Sequence, residues 1–248
     1  MRRRIRNELL LVLGVSLGQS AVYSIVDLLG KLSSGRVLAA QSSVLNPTHA
    51  PGRPWLDLSF QLVGILFGLV PAFLALHLLG RDGERHSDRL GLRPVRAGFD
   101  LRYGVGLAAL IGIPGLGFYF VSRAMGINTT VVPEALPMLW WTVPILVLSA
   151  AQNAILEEVV VVGYLMTRLR ELAWGLPAMV LASSLLRGSY HLYQGFGGFI
   201  GNAVMGSVFA LFYLRYKRIG PLVVAHTLLD TAAFVGYALL KDHVAFLN

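Results

Sequence analysis

Residues 58–79, LSFQLVGILFGLVPAFLALHLL, contain no Asp, Glu, Lys or Arg. At 1.5 Å of rise per residue, a helix of that length crosses about 30 Å of hydrocarbon. The run has companions. Candidate spans lie near residues 8–30, 56–79, 104–124, 138–165, 176–193, 198–214 and 221–240. Inside lipid every backbone polar group must be satisfied within the protein, so such segments fold as helices. The expected fold is all-α, a polytopic transmembrane helix bundle of about seven spans, in a range of roughly six to eight.

Composition agrees. The chain is 55% hydrophobic and 14% charged, with a mean hydropathy of +0.65. A soluble domain carries about a quarter charged residues. Cysteine is absent, which removes disulfides and thiolate metal sites. The start, MRRRIRNELLLVLG, has the basic and apolar regions of a secretory signal. No clear small-residue cleavage site follows, so it is expected to remain as the first span.

The net charge is +8, and its distribution explains it. Segments 2–6, 81–102, 168–170 and 215–218 hold most of the 21 Lys and Arg. The alternate segments hold only Lys31, Arg36, Arg53, Arg123 and Lys241, and Arg187 falls inside a span. The positive-inside rule then places the N-terminus in the cytosol and the C-terminus on the outer side. The expected location is a bacterial plasma membrane. The surplus also favours contact with anionic headgroups of the lipid bilayer. Cations spread over four separate loops do not make a nucleic-acid surface. The loop 80–103 sets six arginines against Asp82, Glu84, Asp88 and Asp100, and reads as an amphipathic surface segment.

An Asp, Lys or Arg in hydrocarbon costs roughly 2.5–3.5 kcal/mol on insertion scales, so those retained there are functional candidates. The last four spans hold Gln152, Asn153, Glu157 and Glu158; Arg187 and His191; Asn202; and His226 and Asp230. The earlier spans offer only Asp27, Gln19 and Gln61. Arg187 and His191 are four apart and share a helix face, as do His226 and Asp230. Glu157 and Glu158 are adjacent, so their side chains should diverge by about 100°, which suggests two separate tasks. Counting from the turn near Trp174 puts Glu157 and His191 level, in the cytosolic half of the bilayer. The run HLYQGFGGFIGN after His191 is then too deep for an outer loop. It suits a broken segment lining a cavity, with Gln194 and Asn202 as candidate lining residues.

A carboxylate, two histidines and an aspartate around one cavity suit hydrolysis. A glutamate can take a proton from water, with a histidine helping to orient it. A second histidine and its partner can stabilise an oxyanion. No Ser or Cys triad is evident, so direct attack by water is favoured over a covalent intermediate. Two histidines and a carboxylate could also hold zinc, although the H-E-x-x-H spacing is missing.

Over residues 138–240 the chain resembles the CPBP family, the CAAX-processing and bacteriocin-processing intramembrane peptidases. That family carries E-E-x-x-x-R, F-x-x-x-H and H-x-x-x-N or D. The counterparts here are Glu157-Glu158 through Val162, Arg187 through His191, and His226 through Asp230. The resemblance implies a glutamic-type endopeptidase without a required cofactor, acting on a membrane-tethered peptide or protein. Glu157 and His191 would activate water, and His226 and Asp230 would stabilise the oxyanion. Glu158 would have a structural or electrostatic role. On this reading residues 138–248 form the catalytic helix core, and residues 1–137 the N-terminal helices and basic loop.

The chain departs from the family pattern twice. Val162 stands where an arginine is expected, and Arg187 where an aromatic is expected. The expectation is a relocated partner, with Arg187 pairing Glu158 from the neighbouring helix. Two rival functions remain. One is a catalytically silent scaffold or bacteriocin-immunity-type protein, in which the acids form an ion-pair network. The other is a proton-coupled transporter, which the lack of an internal repeat disfavours.

Overall fold

A computed structural model describes residues 1–81 and 85–241. Asp82 and Glu84 of the basic loop, and residues 242–248, lie outside the described residues. The chain folds as an all-α bundle with one two-stranded parallel sheet. Helices α1 (Arg2–Gly14) and α2 (Leu17–Ser33) are bent by 50° at their junction. Helices α3 (Pro54–Gly68) and α4 (Val70–Gly80) together make one span. A short α5 (His86–Arg89) precedes the long α6 (Ala97–Ala124). Strands β1 (Ser42–Val44) and β2 (Thr130–Val132) pair Ser42 with Thr130 and Val44 with Val132.

The second half begins with α7 (Thr142–Glu157), continues through a π-helical stretch (Glu158–Tyr164) and ends in α8 (Leu165–Glu171). Together they form an unbroken helix from Thr142 to Glu171. Then come α9 (Leu176–Ser189), a 3₁₀ turn (Leu192–Gln194), α10 (Phe196–Tyr216) and α11 (Gly220–Leu240). Pro221 sits in the first turn of α11, where its missing N–H leaves no bond unmade.

Among the described residues five helices are long and apolar enough to cross a membrane, or six if α1 and α2 count as one bent span. The chain is an integral membrane protein. The expected span at 176–193 takes a different form. Helix α9 has 14 residues, about 21 Å, and stops short of a full crossing. The chain turns at His191 and Gly195 and returns as α10. Gly195 has φ +104°, and a Cβ there would lie 2.6 Å from the Ile127 carbonyl oxygen, so the turn requires glycine. The broken, glycine-rich segment expected after His191 is this turn.

Small residues let the helices approach closely. A Cβ on Gly188 would meet the Phe199 ring at 2.8 Å, which brings α9 against α10. Gly104 does the same for α6 against Val224 of α11. Close backbone packing is the main attraction available between helices in lipid.

The loops separate into two ends. At one end Glu8 meets Arg4 and Arg81, Arg168 meets Glu171, and Arg218 meets Asp100. Arg218 also donates to the Gly91 and Pro94 carbonyls, and Leu90 is buried. The basic loop is thus partly tied down. At the other end Lys31 donates to the Tyr193 carbonyl, Ser43 bonds Thr129, and Lys241 pairs with Glu134. Each end gathers the segments that the Lys and Arg count assigns to one side of the membrane.

Candidate active site

Glu157 is the last residue of α7 before the π-helical stretch. An i→i+5 turn is wider than an α turn and is often found at functional sites. All seven residues of the stretch are buried. The backbone groups it disturbs are met by side chains: Ser183 Oγ donates to the Val161 carbonyl at 3.2 Å and Thr167 Oγ1 to the Gly163 carbonyl at 2.6 Å.

Glu157 and Glu158 face different surroundings but share one cation. Arg187 of α9 reaches both, with Nη1 donating to Glu157 Oε2 at 3.1 Å and Nη2 to Glu158 Oε1 at 2.7 Å. Both acids have ordinary helical backbone angles, with φ −69° at Glu157 and −72° at Glu158, so it is the planar guanidinium fork that bridges their divergence. The Arg187–Glu158 contact expected from the sequence is present, and it extends to Glu157 as well. Arg187 is fully buried, with its guanidinium carbon 5.4 Å from the Phe209 ring centre. Gly206 makes room for it: a Cβ there would sit 3.2 Å from Arg187 Cδ.

His226 joins from α11. Its Nδ1 lies 2.8 Å from Glu158 Oε1. A carboxylate oxygen only accepts, so Nδ1 carries the proton. The other ring nitrogen, Nε2, stands 4.0 Å from Glu157 Oε2 and 3.7 Å from Asp230 Oδ1. These gaps exceed a hydrogen bond. His191, just past α9, donates from Nδ1 to the Arg187 carbonyl at 3.0 Å, which leaves Nε2 as the acceptor.

The acids are distinguished by access. Glu158 is fully buried, whereas Glu157 retains 8% exposure and lines a cavity of about 1140 Å³. His191, His226 and Asp230 line the same cavity, as do the two predicted lining residues Gln194 and Asn202. Arg187 and Glu158 lie behind its wall. The three sequence segments therefore meet at one place, with Glu157 in front and Glu158 behind.

Two contributors escaped the sequence reading. Tyr190 Oη donates to Glu157 Oε2 at 2.6 Å. The signal was its place three residues after Arg187, on the same helix face. Helix α2 also forms part of the cavity wall, and its Ser24 Oγ donates to the Tyr190 carbonyl at 2.9 Å. Asn153 lines the cavity one helical turn before Glu157.

Glu157, Glu158 and His226 can each offer one ligand atom, all within 4.8 Å of one another. They fit zinc poorly. Arg187 already holds one oxygen of each carboxylate, and a fixed cation repels a divalent ion at those lone pairs. His226 presents to Glu158 a nitrogen that carries a proton rather than a free lone pair.

No curated protein and no solved structure matches the chain. Residues 139–232 match the family model described as Type II CAAX prenyl endopeptidase Rce1-like. That segment runs from just before α7 into α11 and includes Glu157, Glu158, Arg187, His191, His226 and Asp230. Residues 139–232 are thus similar to the Rce1-like endopeptidases, in keeping with the resemblance to the CPBP family.

Proposed function

We propose that the protein is an intramembrane endopeptidase in which Glu157 and His191 activate a water against a peptide bond. The observation that carries this reading is the convergence of Glu157, His191, His226 and Asp230 on one cavity among membrane helices. The Rce1-like match over the same residues supports a protease.

The geometry suggests how the tasks divide. Glu157 Oε2 receives two hydrogen bonds, from Tyr190 and Arg187. Glu157 Oε1 has none among the described residues and is the atom available to a water. The water oxygen bonds to the carbonyl carbon while its proton passes to Oε1. His191 Nε2, an acceptor, orients that water. The carbonyl oxygen becomes an oxyanion facing His226 Nε2 and Asp230, a role that requires protons on both groups. The C–N bond then breaks, and Glu157 returns its proton to the leaving amine. No metal enters the scheme. The substrate is a membrane-associated polypeptide, and residues 1–137 complete the cavity wall around the 138–248 core. The test compares peptides in membrane fractions from cells carrying wild type and Glu157→Ala. Fragments present only with wild type are expected, and identical peptide sets would oppose the reading.

One observation favours a second reading, the catalytically silent scaffold: Arg187 already ties up an oxygen of each acid. On that reading Glu157→Gln leaves the biological effect intact.

A further inference from the structure

Helix α2 lines the cavity from Leu17 to Asp27, and on the other helices the wall lies mostly to one side of the catalytic groups. On α11 the cavity wall begins at His226 and continues through Tyr237 to Leu240. On the span holding Glu157 the wall is Asn153, Leu156 and Glu157, with nothing from the π-helical stretch or α8. On α6 it is confined to the last third, near Arg123, and the β2 residues Thr130 and Val131 complete the rim. Apart from the α2 residues, these lie between the acids and the end where β1 pairs with β2.

The opposite direction is closed. Val160, Val161, Val162, Phe209, Leu222 and Ala225 have no exposed surface and sit directly behind Glu158 and His226. Beyond them α8 continues to Arg168 and Glu171, so about 21 Å of packed helix separates Glu157 from that end. The closed end is the one that gathers the described residues of segments 2–6, 85–102, 168–170 and 215–218, where most of the Lys and Arg reside. The sheet end holds few.

We infer that the cavity opens to the extracytosolic side, and that the substrate is an exported, membrane-anchored polypeptide cut near the outer leaflet. The inference joins two independent observations: the direction of the cavity and the positive-inside bias. It rests on the endopeptidase reading for the word substrate, but not for the direction of access. A cytosolic C-terminal tail would meet the closed valine floor rather than the mouth. Loops at the sheet end hold the mouth in place, since Thr129 N donates to the Gln194 carbonyl at 2.8 Å and Ser43 Oγ to the Tyr193 carbonyl at 2.8 Å.

The test exploits the absence of cysteine. Single variants Ser20→Cys and Tyr237→Cys place a thiol on the cavity wall, and Arg170→Cys places one on the exposed surface of the cation-rich end. Intact cells are treated with a membrane-impermeant maleimide, and a second sample is treated after the membrane is opened. The expected result is labelling of at least one cavity thiol in intact cells, with Arg170→Cys labelled only after opening. Two cavity positions guard against one variant failing to insert. Labelling of Arg170→Cys in intact cells overturns the inference. So does protection of both cavity thiols until the membrane is opened. Because the readout is chemical labelling, an inactive enzyme with an outward-facing cavity remains distinguishable from an active one facing inward.

Discussion

Arg187 Nη2 donates to Glu158 Oε1 at 2.7 Å across two helices, with both side chains fully buried. The same guanidinium holds Glu157, so one cation fixes both acids. Removing one partner of a buried ion pair leaves an uncompensated charge and typically costs about 3–5 kcal/mol. Arg187→Phe should therefore destabilise the protein by about that amount in a detergent-micelle unfolding assay. Val162→Arg in the Arg187→Phe background should recover part of the loss, because it restores a cation one turn from Glu158. A double variant no more stable than Arg187→Phe would remove the relocated-partner account.

Tyr190 is expected to act through Glu157. Phe at this position keeps the ring and removes only the hydroxyl that occupies Oε2. Tyr190→Phe should lower kcat by about tenfold, equivalent to about 1.4 kcal/mol of barrier, with KM unchanged. A KM effect alone, or full activity, would show that the hydroxyl does not position the base.

Gly206 is a packing requirement of the arginine site. An added Cβ would approach Ser184 Cα at 3.1 Å and Arg187 Cδ at 3.2 Å. Gly206→Leu should destabilise by about 1–3 kcal/mol, the usual cost of overpacking, and reduce activity with it. Gly236, which has open space around it, serves as the control: Gly236→Leu should have little effect on the unfolding midpoint.

Chelation separates the glutamic mechanism from a zinc one. Activity in purified membranes should survive prolonged treatment with 1,10-phenanthroline. Loss that returns with added zinc would assign Glu157, Glu158 and His226 to a metal despite Arg187.

Hydropathy and the alternation of cations were enough to read the helices, because lipid leaves few alternatives to a helical backbone. Periodicity paired Arg187 with His191 and His226 with Asp230. The π-helical stretch was not readable, since Val159 to Val162 look like any apolar helix. Helix α9 ends at Ser189, four residues before the expected end of that span, because the helix breaks where the glycine-rich run begins. The direction of the cavity depends on where α2, α6 and α11 stand relative to one another, which no local pattern encodes.

The central claim is that Glu157 takes the proton of the attacking water. The most direct measurement is single-turnover cleavage of a membrane-tethered peptide by purified, reconstituted protein, comparing wild type with Glu157→Gln. Glutamine keeps the size and can still accept from Arg187 and Tyr190, so the fold should persist with an unchanged unfolding midpoint. The account predicts a rate at least about 10²-fold lower in the variant, the usual contribution of a general base. Cleavage by Glu157→Gln at the wild-type rate would contradict it.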